Sequence, residues 1–278
     1  MPNLQGIVAI VTGASRGVGK GVALGLAEFG ATVYVTGRTI REGESVGSQP
    51  GTVHQTAVEV TAAGGHGIAV HCDHTDDAQT RQLFDRAIAE QGRIDILVNS
   101  AWAGYEKFHD GTPYLDRSPF WDHPLDWWRK NFDAGVRAHH VASVFAAKQM
   151  AEQKRGLIVT ISSFAGADIA RGPIYSAAKA ADDRLIASMA LDLTPVNVAA
   201  VSLYPGLVRT EGVLRFQNYF DLSNSESPQF IGRAVAHLWN DPKLLEKSGR
   251  VLVAAEIARE YGFTDVDGKQ PKSLRKGS

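Results

Sequence analysis

Seven short apolar runs, each followed by a longer segment of helical character, restrict this 278-residue chain to few folds. The runs are Ile7 to Thr12, Thr32 to Thr36, Ile68 to Cys72, Ile94 to Asn99, Gly156 to Ser162, Val196 to Leu203 and Arg250 to Ala254. Near-continuous hydrophobicity marks strands buried on both faces, which is the pattern of a parallel sheet covered by helices on either side. Right-handed crossovers then join them into a doubly wound α/β fold. In such sheets ligands sit beyond the carboxyl ends of the strands, so function is expected just after each run.

The first run leads directly into Thr12-Gly-Ala-Ser-Arg-Gly-Val-Gly19, after which the apolar period becomes helical. Gly13, Gly17 and Gly19 let the backbone turn tightly and approach a pyrophosphate, which the amides and dipole of the new helix stabilise. The spacing Gly-x-x-x-Gly-x-Gly departs from the commoner dinucleotide fingerprint, and a plain glycine-rich turn is the competing reading. If the turn binds a dinucleotide, Ser15 and Val18 belong to its contacts. The second run ends in Gly37-Arg38, where an NAD-specific site usually places an acid on the ribose 2′-hydroxyl. Gly37 holds that place, and Arg38 with Arg16 can bind a 2′-phosphate, which favours NADP(H) and leaves NAD(H) open. Two solvated surface arginines are the alternative.

Charge and length narrow the partner. With 29 Lys and Arg against 30 Asp and Glu, there is no excess that would draw nucleic acid or an anionic membrane. One domain spanning 1–278 is expected, and no apolar run reaches the roughly 20 residues that cross a bilayer. The one cysteine, Cys72, forms no internal disulfide and reads as a buried thiol at a strand end, in keeping with a cytoplasmic location. Residues 41–51 read as a flexible loop, 211–230 as a substrate lid and 270–278 as a solvated basic tail.

Asp73 and Asn99, with Ala101 beside the latter, lie where they border a bound cofactor, although ordinary strand-end turns explain them as well. The segment Trp102 to Trp128 is rich in aromatics: Trp102, Tyr105, Phe108, Tyr114, Phe120, Trp121, Trp127 and Trp128. It reads either as an apolar substrate pocket or as a satellite core under a long loop. His109 and His123 lie within it. His139 and His140 are adjacent on the next helix, point about 100° apart and make a poor joint metal site, so no metal is expected. That helix is expected from Asp126 to Lys154, packed through Trp128, Phe132, Val136, Val144 and Ala147.

The fifth run closes with Ser162 and Ser163, and twelve residues past Ser163 comes Tyr175-Ser-Ala-Ala-Lys179. Residues four apart share a helix face, so the phenol and the ammonium can project the same way. A free phenol, with a pKa near 10, is a poor acid-base group at neutral pH, and a neighbouring cation favours its phenolate. Ser163 can hold a substrate oxygen while the proton moves. An isolated Tyr and Lys pair would be read as packing. Here it stands between a dinucleotide turn and the segment Pro205-Gly206-Leu207-Val208-Arg209-Thr210, whose Thr210 hydroxyl can fix a nicotinamide amide.

In the glycine motif, the Asn99 region, Ser163, Tyr175, Lys179 and the Pro205-Gly206 turn, the chain resembles the short-chain dehydrogenase/reductase family from Met1 to about Ala255. The resemblance implies a Rossmann-like, three-layer fold with a seven-stranded parallel sheet in the order 3-2-1-4-5-6-7. It implies hydride transfer between a nicotinamide and a carbonyl or alcohol, with Tyr175 as acid or base, Ser163 on the substrate oxygen and Lys179 on the ribose. The aromatic segment points to a small apolar substrate. The Tyr-to-Lys spacing sets the chain apart from the divergent enoyl reductase branch, and the runs Val33 to Arg38, Phe120 to Trp128 and Tyr261 to Pro271 resemble one animal branch. A homodimer or homotetramer through helices 126–154 and 175–193 is also implied. One departure stands out: seven residues after Trp128, where the family places an asparagine on a water-linked proton path, this chain has Gly135. Asn131, one turn earlier, either substitutes for it, or the proton route differs, or Asn131 is a polar helix residue. A non-catalytic NADP(H)-binding redox sensor is the alternative function.

Overall fold

The computed structural model describes residues 1–44, 49–104, 118–168 and 172–275. Its strands are β1 (Val8–Val11), β2 (Thr32–Gly37), β3 (His66–His71), β4 (Ile96–Asn99), β5 (Gly156–Ile161), β6 (Val198–Tyr204) and β7 (Val251–Val253). They form one sheet in the order β3-β2-β1-β4-β5-β6-β7, and every pairing is parallel. This is the doubly wound, three-layer arrangement expected from the apolar runs.

Strand alternation divides the core in two. Ala9, Val11, Ile96, Val98, Leu157 and Val159 face one side, against α1 (Gly17–Ala27), α2 (Val53–Ala62), α8 (Pro228–Trp239) and α9 (Ala254–Tyr261). Val8, Ile10, Leu97, Ile158, Val198 and Ala200 face the other, against α3 (Asp77–Gln91), α5 (Ala138–Gln153) and α6 (Pro173–Leu193). Helix starts are written in the sequence. Thr52 accepts from the Gln55 amide, Asp76 from the Ala78 and Gln79 amides, and Ser227 from the Phe230 amide, each supplying an acceptor to an end that lacks one. Pro173 opens α6, which places Tyr175 in its first turn.

The helix expected over 126–154 is interrupted. It comprises α4 (Trp127–Asn131), a π-helical turn from Phe132 to Arg137, and α5. Wider turns of this kind insert a residue and rotate the two halves relative to each other. The inward face of α5 is accordingly Ala138, Ala142, Ala146 and Met150, while Val144, expected to pack, is 37% exposed and Trp128 is 54% exposed. In the tail Lys272, Leu274 and Arg275 are solvent-exposed, yet Lys272 pairs with Asn224 through two hydrogen bonds and Ser273 and Arg275 both bond Glu256, so 272–275 are solvated and tethered at once. The expected lid ends early as well, because Ser227 already caps α8 and Phe230 is fully buried in the core. What remains is α7 (Glu211–Arg215), a short 3-10 turn and the loop to Glu226. No described helix is long and apolar enough to cross a membrane.

Candidate active site

One cavity of about 500 Å³ lies across the carboxyl edge of the sheet. At its centre is the β1–α1 turn. Thr12 Oγ1 accepts from the Ser100 and Ala101 amides at 2.9 and 3.0 Å, clamping the ends of β1 and β4 together. Gly13 has φ +65°, and a Cβ there would stand 2.7 Å from Ala101 Cα, so no other residue fits this approach. Gly13, Ser15, Arg16, Gly17, Val18 and Gly19 all line the cavity.

The N-terminus of α1 is the expected anion site, and it holds an anion of the chain's own. The Gly17 amide donates to Glu211 Oε2 at 2.9 Å, bringing the first residue of α7 onto the start of α1. A carboxylate on this amide is direct evidence that the turn accommodates negative charge, and it would compete with a pyrophosphate for it. Glu211→Gln is therefore expected to tighten NADPH binding two- to five-fold, about 0.3–1 kcal/mol. Fluorescence titration checks this, and equal or weaker binding contradicts the competition.

At the β2 end, Gly37 and exposed Arg38 line the cavity with Thr39 and Glu44. The Arg16 guanidinium is committed differently from the expectation. It donates to the carbonyls of Pro50 and Gly51 at 3.2 and 2.8 Å, so it ties down the end of the 41–51 loop while still lining the cavity with Arg38. Asp73 lines the cavity, and its Oδ1 accepts from both the amide and the hydroxyl of Thr75, so the strand-end turn and the cavity border are both present. Cys72 is buried there, its thiol pushed up to about 11 by burial.

Asn99 is corrected. It faces away from the cavity, donating to Ser143 Oγ at 3.0 Å and Thr160 Oγ1 at 3.3 Å, and so braces β4 against α5 and β5. Strand alternation sends its side chain to the helix layer; Ser100, Ala101 and Trp102 line the cavity instead.

The reactive end collects Ser163, Tyr175 and Lys179 on the same cavity wall. Ser163 Oγ accepts from the Ala165 amide at 3.2 Å, which fixes the hydroxyl at the strand end. Tyr175 is half-buried with its ring 5.2 Å from Trp102 at 53°. Lys179 is 7% exposed and donates to the Ile161 carbonyl at 2.9 Å and to Asp182 Oδ2 at 3.2 Å. Asn131 is not part of this wall: its Oδ1 accepts from Trp102 Nε1 at 3.1 Å and its Nδ2 donates to the Trp127 carbonyl at 2.8 Å. It thus anchors the tryptophan that packs on Tyr175, and the catalytic reading of Asn131 is withdrawn in favour of a polar helix residue. Gly135 sits in the π turn, where a Cβ would touch Trp102 Cδ1 at 3.4 Å.

Pro205, Gly206, Leu207, Val208 and Thr210, the segment after β6, also line the cavity. The Thr210 hydroxyl caps α7 by accepting from Val213, and Gly206 donates to Glu226 Oε2 at 2.8 Å. Burial pushes Glu226 up to about 7 against the pull of that bond. Glu211, Glu226, Asp182 and the role of Trp102 escaped the sequence reading; Glu211, Glu226 and Trp102 act through partners far along the chain, and Asp182 joins neighbouring Lys179 to distant His139. Tyr105, Phe108, His109 and Tyr114 lie outside the described residues.

The comparisons agree with this geometry. Residues 7–218 match the family model described as short chain dehydrogenase, and the chain belongs to that family. Dehydrogenase/reductase SDR family member 1 of Mus musculus is 38% identical over 283 residues, covering 97% of this chain and 86% of the relative. A solved 7α-hydroxysteroid dehydrogenase, complexed with NADH and 7-oxo glycochenodeoxycholic acid, superposes with a TM-score of 0.72 at 26% identity, covering 98% of this chain and 97% of the other. A Xanthomonas campestris protein described as a dehydrogenase shares the fold at a TM-score of 0.80, 24% identity and 99% coverage of both chains.

Proposed function

We propose that this oxidoreductase transfers a hydride between NADP(H) and the carbonyl or alcohol carbon of a small apolar substrate, with Tyr175 as the acid or base. The observation that carries the reading is the shared cavity, lined at its centre by the glycine turn and at one end by Ser163, Tyr175 and Lys179. A bound nicotinamide supplies the hydride. Ser163 holds the substrate oxygen, Tyr175 gives it a proton in reduction or removes one in oxidation, and Lys179 orients the ribose and favours the phenolate. Trp102, packed on Tyr175, with Leu207 and Val213 in the lining of the same cavity, gives it an apolar character that suits ketones, quinones or steroid-like compounds.

The test is a panel of such compounds, with NADPH oxidation followed. Turnover of one or more supports the reading; NADPH binding with oxidation by none favours a redox sensor. For the cofactor, Gly37 in place of an acid and Arg38 beside it favour NADP(H). A side chain at position 37 is tolerated, since a Cβ there meets only ordinary contacts, the nearest being Val53 Cγ1 at 3.4 Å. Gly37→Asp with Arg38→Ala is expected to reverse the preference toward NADH by at least ten-fold in kcat/KM, about 1.4 kcal/mol. Unchanged selectivity would place the 2′-phosphate contact elsewhere. A cytoplasmic homodimer or homotetramer belongs to the same reading, supported by the exposure of Val144 on α5 and Leu191 on α6.

A further inference from the structure

Behind Lys179 lies a buried polar cluster that the reaction outlined above does not use. Asp182, three residues on along α6, is 2% exposed, and His139 on α5 is 3% exposed. Asp182 Oδ2 accepts from Lys179 at 3.2 Å, while its Oδ1 lies 2.9 Å from His139 Nδ1. The other ring nitrogen, Nε2, lies 2.8 Å from the Ala101 carbonyl oxygen. A carbonyl oxygen only accepts, and so does a carboxylate. Both ring nitrogens therefore face acceptors, and satisfying both requires a proton on each.

The charge count follows. An anion 3.2 Å from Lys179 would by itself cancel the cation that the phenol of Tyr175 depends on. A doubly protonated His139 balances Asp182 and leaves the cluster with the net positive charge of Lys179 alone. Burial opposes ionisation of Asp182, yet the charges and hydrogen bonds of His139 and Lys179 outweigh it and hold the carboxyl below the usual carboxylate range. His74, reaching in from the end of β3, is driven down to about 4 by burial and by repulsion from His139, so it stays neutral. Asp73 and Arg38 bear on His74 from the cofactor side, and Arg137 is bound outward to Asp77.

We propose that His139 and Asp182 are positioning residues for Lys179: Asp182 fixes the ammonium against the Ile161 carbonyl, and the extra proton on His139 leaves its charge available to Tyr175. The proposal rests on Tyr175 being the acid-base group, and its test separates the two.

Two measurements on the full-length protein decide it. The first is nitrogen NMR of histidine-labelled protein at neutral pH, with His139 assigned by loss of its signals in His139→Gln. Two protonated ring nitrogens are expected, and a neutral ring overturns the proposal whatever the activity. The second is the pH profile of alcohol oxidation with NADP⁺. In His139→Gln the anion of Asp182 is unbalanced, so the acid limb is expected to move up by about one pH unit, a ten-fold loss of rate below it. In His139→Gln/Asp182→Asn the balance returns, and so does the limb. A purely structural role predicts the reverse order, with the double variant worse than the single; that order, or an unmoved limb in His139→Gln, overturns the proposal. Should His139→Gln not fold, the same NMR comparison on Asp182→Asn serves, a neutral ring being expected once the carboxylate is gone and a doubly protonated one contradicting the pairing. The NMR arm needs no turnover, so a protein that binds NADP(H) without catalysis fails the functional reading, and with it the role toward Tyr175, while a doubly protonated His139 still upholds the pairing with Asp182.

Discussion

Replacing Tyr175 by phenylalanine is expected to lower turnover about 10²- to 10⁴-fold while NADPH still binds, because only the hydroxyl is lost. Phenylalanine keeps the ring that packs 5.2 Å from Trp102, so the wall beneath the substrate is preserved. The glycine turn and the β2 end, proposed to hold the adenine half of the cofactor, are untouched. The expected signature is a fall in kcat with little change in NADPH affinity, as for a group that acts in the transition state rather than in binding. Activity within a few-fold of the parent would remove Tyr175 from the chemistry.

Gly21→Val is expected to cost about 3 kcal/mol of stability, the upper part of the usual range for overpacking, and to lower Tm by roughly 6–12 °C. Helices α1 and α8 meet backbone to backbone. A Cβ at Gly21 would lie 2.1 Å from Pro228 Cβ and 2.2 Å from its carbonyl carbon, and one at Gly25 would lie 2.6 Å from the Gln229 oxygen. Neither neighbour is a flexible side-chain end, so the helices must part. Because α1 begins at Gly17, that movement also displaces the turn that faces the cofactor, and NADPH affinity should fall with stability. At Gly92 nothing lies within 4 Å, so its strain is only that of its φ of +70°, and Gly92→Asn should change Tm little. Calorimetry of the two variants checks the contrast, and equal melting temperatures would contradict it.

The features legible in the sequence are those set by local periodicity or by one strong chemical constraint. Strands β1, β4, β5 and β6 were readable because both faces are buried, which makes their runs apolar throughout, and the edge strand β3, half-buried between exposed His66 and His71, still shows its central Ile68, Ala69 and Val70. That Tyr175 and Lys179 share a helix face was readable from their spacing of four, and Ser163 from its place just after the fifth strand; all three line the cavity. What stayed hidden is set by distant contacts. The π turn at Phe132 to Arg137 leaves no periodic trace beyond six residues, yet it turns α5 so that its alanines, not Val144, face the sheet. The hydrogen bond from Gly17 to Glu211 spans 194 residues and that of His139 with Asp182 spans 43, so neither could be inferred from spacing. Asn99 was placed at the right strand end, but its side chain follows Leu97 by alternation toward α5, where it bonds Ser143 and Thr160 rather than the cavity.

Hydride is expected to pass between a nicotinamide at the Tyr175 end of the cavity and a substrate carbon beside Tyr175, with the pyrophosphate on the glycine turn. NADPH deuterated at nicotinamide C4, incubated with the protein and a hydrophobic ketone from the panel, tests it directly by mass spectrometry of the alcohol. One face of the deuterated nicotinamide is expected to deliver a single deuterium to the carbinol carbon, and Tyr175→Phe is expected to suppress it. An alcohol formed without deuterium from either face, or no alcohol from any ketone, quinone or steroid despite tight NADPH binding, would contradict the account.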